Sequence, residues 1–237
     1  MEVIPLGDSA LLIRLENDFE KPSYESLSNV LDALRHLQAG QIPGVVDLTS
    51  AYTTIAVFFD AVRVVEAGAP NAGVIDWLTA KIQLAIRKGA KQKHKKAESR
   101  LVEIPVCYEE KFGFDLADVA QRAHVSVQEV IRVHTAHDYR VACVGFTPGF
   151  GFLSGLDPKL ATPRRPTPRT HVPAGSVAIG GAQTGVYPIG SPGGWNIIGR
   201  TPLQMFDVQR DPPALLCAGD RVQFRSITRA EFDSLGK

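Results

Sequence analysis

Cysteine is scarce in this chain: Cys107, Cys143 and Cys217 are the only three in 237 residues, and no two stand at a Cys-x-x-Cys spacing. That excludes a disulfide-stapled scaffold and a thiolate zinc site, and it fits a reducing cytosol. A surplus of one charge is also lacking, since 26 Lys and Arg face 25 Asp and Glu for a net charge of +1. No global field therefore argues for nucleic acid or a membrane surface as partner. Long apolar runs are missing too. Runs such as Ile55 to Phe59 are far shorter than the roughly 20 residues that cross a bilayer. Met1-Glu2-Val3-Ile4-Pro5 has neither the basic region nor the apolar stretch of a signal peptide, so a cytoplasmic location is expected.

Complete cofactor motifs are absent as well. There is no G-x-x-x-x-G-K-[ST], and Gly149-Phe-Gly151 followed by Gly155 does not match a dinucleotide fingerprint. Ser154, Ser176 and Ser191 lie near glycines but in no G-x-S-x-G. His134 and His137 have half the spacing of a metal site without a third ligand, and no metal is expected.

What is present is an ordinary globular composition, 44% hydrophobic and 22% charged, with length enough for one large domain or two. Val3 to Leu15 reads as strand and turn broken at Gly7-Asp8. Leu27, Val30, Leu31, Leu34 and Leu37 mark one face of a helix stopped by Gly40. Val45 to Phe59 reads as a hairpin. Asn71 is expected to cap a second helix with Val74, Leu78, Ile82, Ala85 and Ile86 on one face. Between Arg87 and Arg100 lie seven basic residues and one acid, Glu98, the composition of a solvated connector. The spacing then predicts a strand over Leu101 to Cys107, helices over Leu116 to Ala123 and Val127 to His134, and a capping box at Ser126 and Glu129.

Residues 145 to 202 hold twelve of the 21 glycines and nine of the 16 prolines but only six charges, five of them basic. Val177, Ile179, Val186, Ile189, Ile197 and Ile198 fall between these breakers, which reads as short strands with tight corners. Further strands are expected over Leu203 to Val208 and Arg221 to Ile227. Arg164, Arg165, Arg169 and Arg200 could converge on an anion, since guanidinium groups grip carboxylates and phosphates bidentately; equally, they could brace loop carbonyls. Phe146, Phe150, Phe152, Tyr187 and Trp195 could line an apolar pocket beside them or form core.

Five ordered blocks then carry a resemblance: Gly145-Phe-Thr-Pro-Gly-Phe-Gly-Phe-Leu-Ser-Gly155, Thr162-Pro-Arg-Arg-Pro-Thr-Pro-Arg169, Val172-Pro-Ala-Gly-Ser-Val177, Gln183-Thr-Gly-Val-Tyr-Pro188 and Ser191-Pro-Gly-Gly-Trp-Asn-Ile-Ile-Gly-Arg-Thr-Pro202. With Gly7-Asp8-Ser9-Ala10 and Ile42-Pro43-Gly44-Val45, the chain resembles the KipI/PxpB family along nearly its whole length. This is also called the allophanate hydrolase subunit 1 family, and its bacterial members are B subunits of 5-oxoprolinase. The resemblance implies an α+β fold: a small α/β N-terminal domain over 1–88, the basic connector at 89–100, and a cyclophilin-like β-barrel domain over 101–237.

For activity it implies a hydrolase complex with subunits A and C that uses ATP to open 5-oxo-L-proline to L-glutamate, with this chain inactive alone. Motif membership and side-chain chemistry give the expected roles. Arg164, Arg169 and Arg200 would hold transferring phosphate and substrate carboxylate, and His134 would move protons. Phe146, Phe150, Gln183, Tyr187 and Trp195 would bind substrate. Family members often carry tyrosine where this chain has Phe152, so no role is carried over for that hydroxyl. The same resemblance admits two other uses: inhibition of a sensor histidine kinase docked on Phe150, Tyr187 and Trp195, or an accessory part in urea or allophanate metabolism.

Overall fold

The computed structural model describes residues 1–15, 24–91 and 99–236, so most of the basic connector lies outside the described residues. The chain forms two compact units, Met1–Glu98 and Ser99–Lys237.

In the first unit, β1 (Glu2–Pro5) and β2 (Ala10–Arg14) form an antiparallel hairpin. Its turn needs Gly7, whose φ of 73 lies where a side chain would be strained. Helix α1 (Tyr24–Gly40) buries Leu27, Val30, Ala33 and Leu37, one helical stripe. Strands β3 (Val45–Ala51) and β4 (Thr54–Phe59) pair antiparallel, giving the sheet order β1-β2-β4-β3. A helix the periodicity did not announce follows: α2 (Ala61–Glu66), nucleated by the Asp60 carboxylate, which accepts from the Val62 and Arg63 N–H groups. Helix α3 (Val74–Lys91) begins after Gly73, not at Asn71, which sits in the preceding turn. The Gly73 carbonyl takes the first helical bond, from Trp77 N–H at 3.0 Å. Leu78 and Ile82 of α3 meet Leu11, Ile13, Ile55 and Val57 of the sheet in a fully buried core, each contributing about 1.5–3 kcal/mol of burial.

The second unit starts with β5 (Leu101–Val106), α4 (Leu116–Ala123) and α5 (Val127–Ala136). Ser126 caps α5 by accepting from Glu129 N–H, but the Glu129 carboxylate turns to Arg132, so the expected box is half formed. Then come β6 (Tyr139–Val144), β7 (Gly151–Ser154), β8 (Arg169–Val172), β9 (Ser176–Gly180), β10 (Gln183–Val186), β11 (Ser191–Gly193), β12 (Asn196–Arg200), β13 (Arg221–Ser226) and α6 (Arg229–Leu235). Strand β13 lies between β5, parallel to it, and β6, antiparallel; the sheet continues β6-β7-β10-β9-β12, antiparallel throughout. At the end of β12, Arg200 and Cys107 exchange both backbone hydrogen bonds at 2.9 Å, bringing β12 to the residue that follows β5. Strands β8 and β11 form a separate ribbon. The expected strand over 203–208 is absent: Phe206 makes a single bridge to Ala214 inside a loop held by Asp207 N–H to the Pro213 carbonyl. The fold is mixed α/β, dominated by antiparallel sheet. One sheet face, with Leu153, Val177, Ile179 and Val186, packs against Leu116, Val119 and Val130 of α4 and α5.

Candidate functional site

The opposite face of that sheet carries the motif residues. Register places Phe152 across from Gly185, Gly185 across from Ala178, and Ala178 across from Ile197, so these four share one face. The two-residue period adds Gln183 and Gly180. The small residues make room for rings. A Cβ on Gly185 would come within 3.1 Å of the Phe150 ring, and one on Gly180 within 2.5 Å of the Trp195 indole. Phe150 meets Phe152, Tyr187 and Trp195 at centroid separations of 4.7, 5.3 and 5.5 Å, mostly edge to face, each pair contributing about 0.5–1.5 kcal/mol beyond burial. Tyr187, Phe150 and Trp195 are 2%, 2% and 5% exposed, so they form the floor of this face rather than its contact surface. Burial pushes the Tyr187 phenol pKa up, outweighing the Trp195 N–H bond and the charges of Arg164 and Arg169, and it remains a neutral hydroxyl. Phe146 differs: it is 67% exposed, its φ is 70, and its ring meets Phe150 at 5.7 Å. Holding a bulky residue there costs about 1–3 kcal/mol.

Over the start of β12 runs the strap 163–169. Its tie is Asp115, 2% exposed, whose carboxylate accepts four hydrogen bonds: Arg165 Nη1 at 2.7 Å, Arg169 Nη1 and Nη2 at 2.9 and 2.8 Å, and Ile197 N–H at 2.7 Å. Asp115 occupies the N-cap position of α4 yet makes no side-chain cap bond, because its oxygens are spent on the strap and on β12. Backbone bonds add to the tie: Arg165 N–H donates to the Gly194 carbonyl at 2.7 Å, and Asn196 Nδ2 donates to the Pro163 carbonyl at 2.9 Å. Arg164, between these anchors, is exposed and stands over the Trp195 ring at 5.8 Å. Among the described residues its guanidinium makes no hydrogen bond or ion pair.

His134 lies elsewhere. It is fully buried and stacked on Phe224 at 4.4 Å. Thr184 donates its hydroxyl to the Ala178 carbonyl, so its oxygen accepts from His134 Nε2–H at 3.0 Å, and Nδ1 then accepts from the Tyr108 hydroxyl at 2.8 Å. Burial, with a smaller effect from His137, lowers the imidazole pKa to about 3. Burial likewise pushes the Tyr108 phenol well up. The network is neutral and closed, and His134 has no surface on which to meet a substrate, which corrects its expected proton-transfer role.

The structure thus brings together Arg164, Arg169, Phe146, Phe150, Gln183, Tyr187 and Trp195, and leaves His134 and Arg200 out. Arg200 sits at the far end of β12, its Nε on the Ala174 carbonyl at 2.8 Å and its guanidinium 6.0 Å from the Phe112 ring. Arg169, bidentate to Asp115 and 5.8 Å from the Phe114 ring, braces the strap. Asp115 itself escaped the sequence reading: one acid fifty residues before its partners carries no local signal, though its place just before an apolar helical stripe marks it as a candidate cap.

Comparison with known proteins places the chain in a family. The family described as "Carboxyltransferase domain, subdomain C and D" matches residues 1–216. The chain is 39% identical over 232 residues to the 5-oxoprolinase B subunit of Bacillus subtilis (strain 168), covering 98% of this chain and 95% of that protein. It is 37% identical over 224 residues to the protein of the same name in Haemophilus influenzae, covering 94% and 97%. Among solved structures it resembles TTHA0988 with a TM-score of 0.75 and 35% identity, over 92% of this chain and 40% of that one, so it spans two fifths of that protein's length. From the full-length match to proteins of that name, together with the domain match over nine tenths of the sequence, the chain belongs to the KipI/PxpB family of 5-oxoprolinase B subunits, within the carboxyltransferase subdomain C and D family.

Proposed function

We propose that this chain is the B subunit of an ATP-dependent 5-oxoprolinase of the cytoplasm, inactive alone and working with subunits A and C to hydrolyse 5-oxo-L-proline to L-glutamate. The observation that carries this is the 39% identity to a 5-oxoprolinase B subunit along 98% of the chain. The site chemistry agrees. A five-membered lactam is a poor electrophile, and phosphorylating its oxygen at the expense of ATP makes the ring carbon attackable by water. Both substrate and phosphoryl group carry oxyanions that must be held. Arg164 is the guanidinium free to hold one, Gln183 and the exposed Phe146 frame the face, Arg169 acts by holding the Asp115 carboxylate, and Arg200 by holding the Ala174 carbonyl. ATP is used by the complex.

We also read the second unit as a closed, cyclophilin-like barrel. The order β5-β13-β6-β7-β10-β9-β12 with the Cys107 and Arg200 bridge back to β5 supports this. The domains then run over 1–88 and 101–237 with the connector between. The kinase-inhibitor and allophanate readings have no observation that favours them, since the Bacillus and Haemophilus relatives both carry the oxoprolinase name. Size-exclusion chromatography with light scattering tests the assignment. Co-elution of the chain with subunits A and C is expected, and separate elution of three folded proteins would overturn it.

A further inference from the structure

Two features at the strap point beyond folding. The first is Arg164, an exposed guanidinium whose neighbours on both sides are tied down, with no anion of this chain to meet it among the described residues. The second is Asp115, an acid at a helix N-cap position that forgoes its own helix to hold Arg165, Arg169 and the Ile197 N–H. The two are connected through the chain. Pro163 is held by Asn196, Arg165 by Gly194 and Asp115, and Arg169 by Asp115, and every one of these partners but Asp115 lies within three residues of Trp195. Charge points the same way. Arg164, Arg165 and Arg169 bring three positive charges against the single carboxylate of Asp115, which leaves the cluster short of anion.

We propose that Asp115 is a positioning residue: by locking Arg165 and Arg169 it fixes the strap so that Arg164 stands over Trp195 as a preorganised receptor for a small oxyanion, a carboxylate or a phosphoryl group. This deepens the reading of the aromatic face as substrate-facing and rests on it. An arginine on a loose loop must order its backbone as well as its side chain on binding, whereas one whose chain neighbours are tied on both sides and whose guanidinium lies over an indole has less left to order. Removing the lock should therefore weaken binding although Asp115 touches no ligand.

The test uses the full chain with Trp77→Phe, leaving Trp195 as the sole tryptophan. Sodium formate, inorganic phosphate and 5-oxo-L-proline are titrated separately at constant ionic strength while Trp195 emission is followed. The expected result is a saturable change, with Arg164→Met abolishing it and both Asp115→Asn and Arg165→Met weakening it at least tenfold. Arg165→Met leaves the bidentate Arg169 pair intact, so it decides the matter should Asp115→Asn fail to fold. A merely structural Asp115 would lower the unfolding midpoint and leave affinity unchanged, and that outcome overturns the proposal. No response to any of the three probes also overturns it. Formate and 5-oxo-L-proline against phosphate distinguish a carboxylate subsite from a phosphoryl one. The titration needs no partner protein, so it fails or succeeds independently of glutamate release by the complex.

Discussion

Lowering the pH should destabilise the second unit through one side chain, His134. In the unfolded chain its imidazole protonates below about pH 6.5, whereas the native ring, buried between Phe224 and the Tyr108 and Thr184 hydroxyls, does so only near pH 3. Between those values the unfolded state binds a proton that the native state refuses. The contribution of the neutral ring is therefore complete above pH 6.5 and is lost as pH falls, at about 1.4 kcal/mol per pH unit. At pH 4.5 that amounts to about 3 kcal/mol, a large part of the 5–15 kcal/mol typical of a domain. Urea unfolding at pH 7.5 and 4.5, read from Trp195 emission with Trp77→Phe, reports on the unit that contains His134. His134→Gln, which keeps hydrogen-bonding capacity but takes up no proton, is expected to be less stable than wild type at pH 7.5 by about 2 kcal/mol from lost ring packing. At pH 4.5 the order should reverse, with the variant more stable by about 1 kcal/mol. Equal pH dependence in both proteins would refute a neutral, sealed His134.

Arg169→Met takes the bidentate partner from buried Asp115, leaving it Arg165 and the Ile197 N–H, and is expected to cost about 3 kcal/mol in urea unfolding; a loss under 1 kcal/mol would remove the bracing role. Arg200→Met gives up one bond to a carbonyl and should cost about 1 kcal/mol in the same assay, with the KM of the assembled complex unchanged. Gly180→Ala drives a methyl into the Trp195 indole, so about 1–3 kcal/mol of destabilisation with a shift of Trp195 emission is expected. An unshifted spectrum would contradict the close approach.

Much of the fold is readable from local pattern. The Leu27 to Leu37 stripe, the β-branched run before Phe59 and the Gly7-Asp8 break each specify an element through neighbours a few residues away. Helix α2 was hidden because six residues span too few turns for an apolar period, and its determinant is the single cap Asp60. Helix α6 was hidden for a similar reason: it buries no residue, and its signal is the Thr228 and Glu231 capping box. The site was harder. Glycine density in 145–202 announces close approach without naming the rings that need it, as Gly180 and Trp195 show. Which arginine binds and which braces depends on Asp115, remote in sequence. Position near a helix C-terminus argues for a charged His134, and burial reverses that argument.

Glutamate release from 5-oxo-L-proline and ATP is the most direct measurement. It would be made with this chain alone, with subunits A and C alone, and with all three. Release only from the full mixture is the expected result. Equal release with and without this chain, all components being folded, would contradict its place in the enzyme.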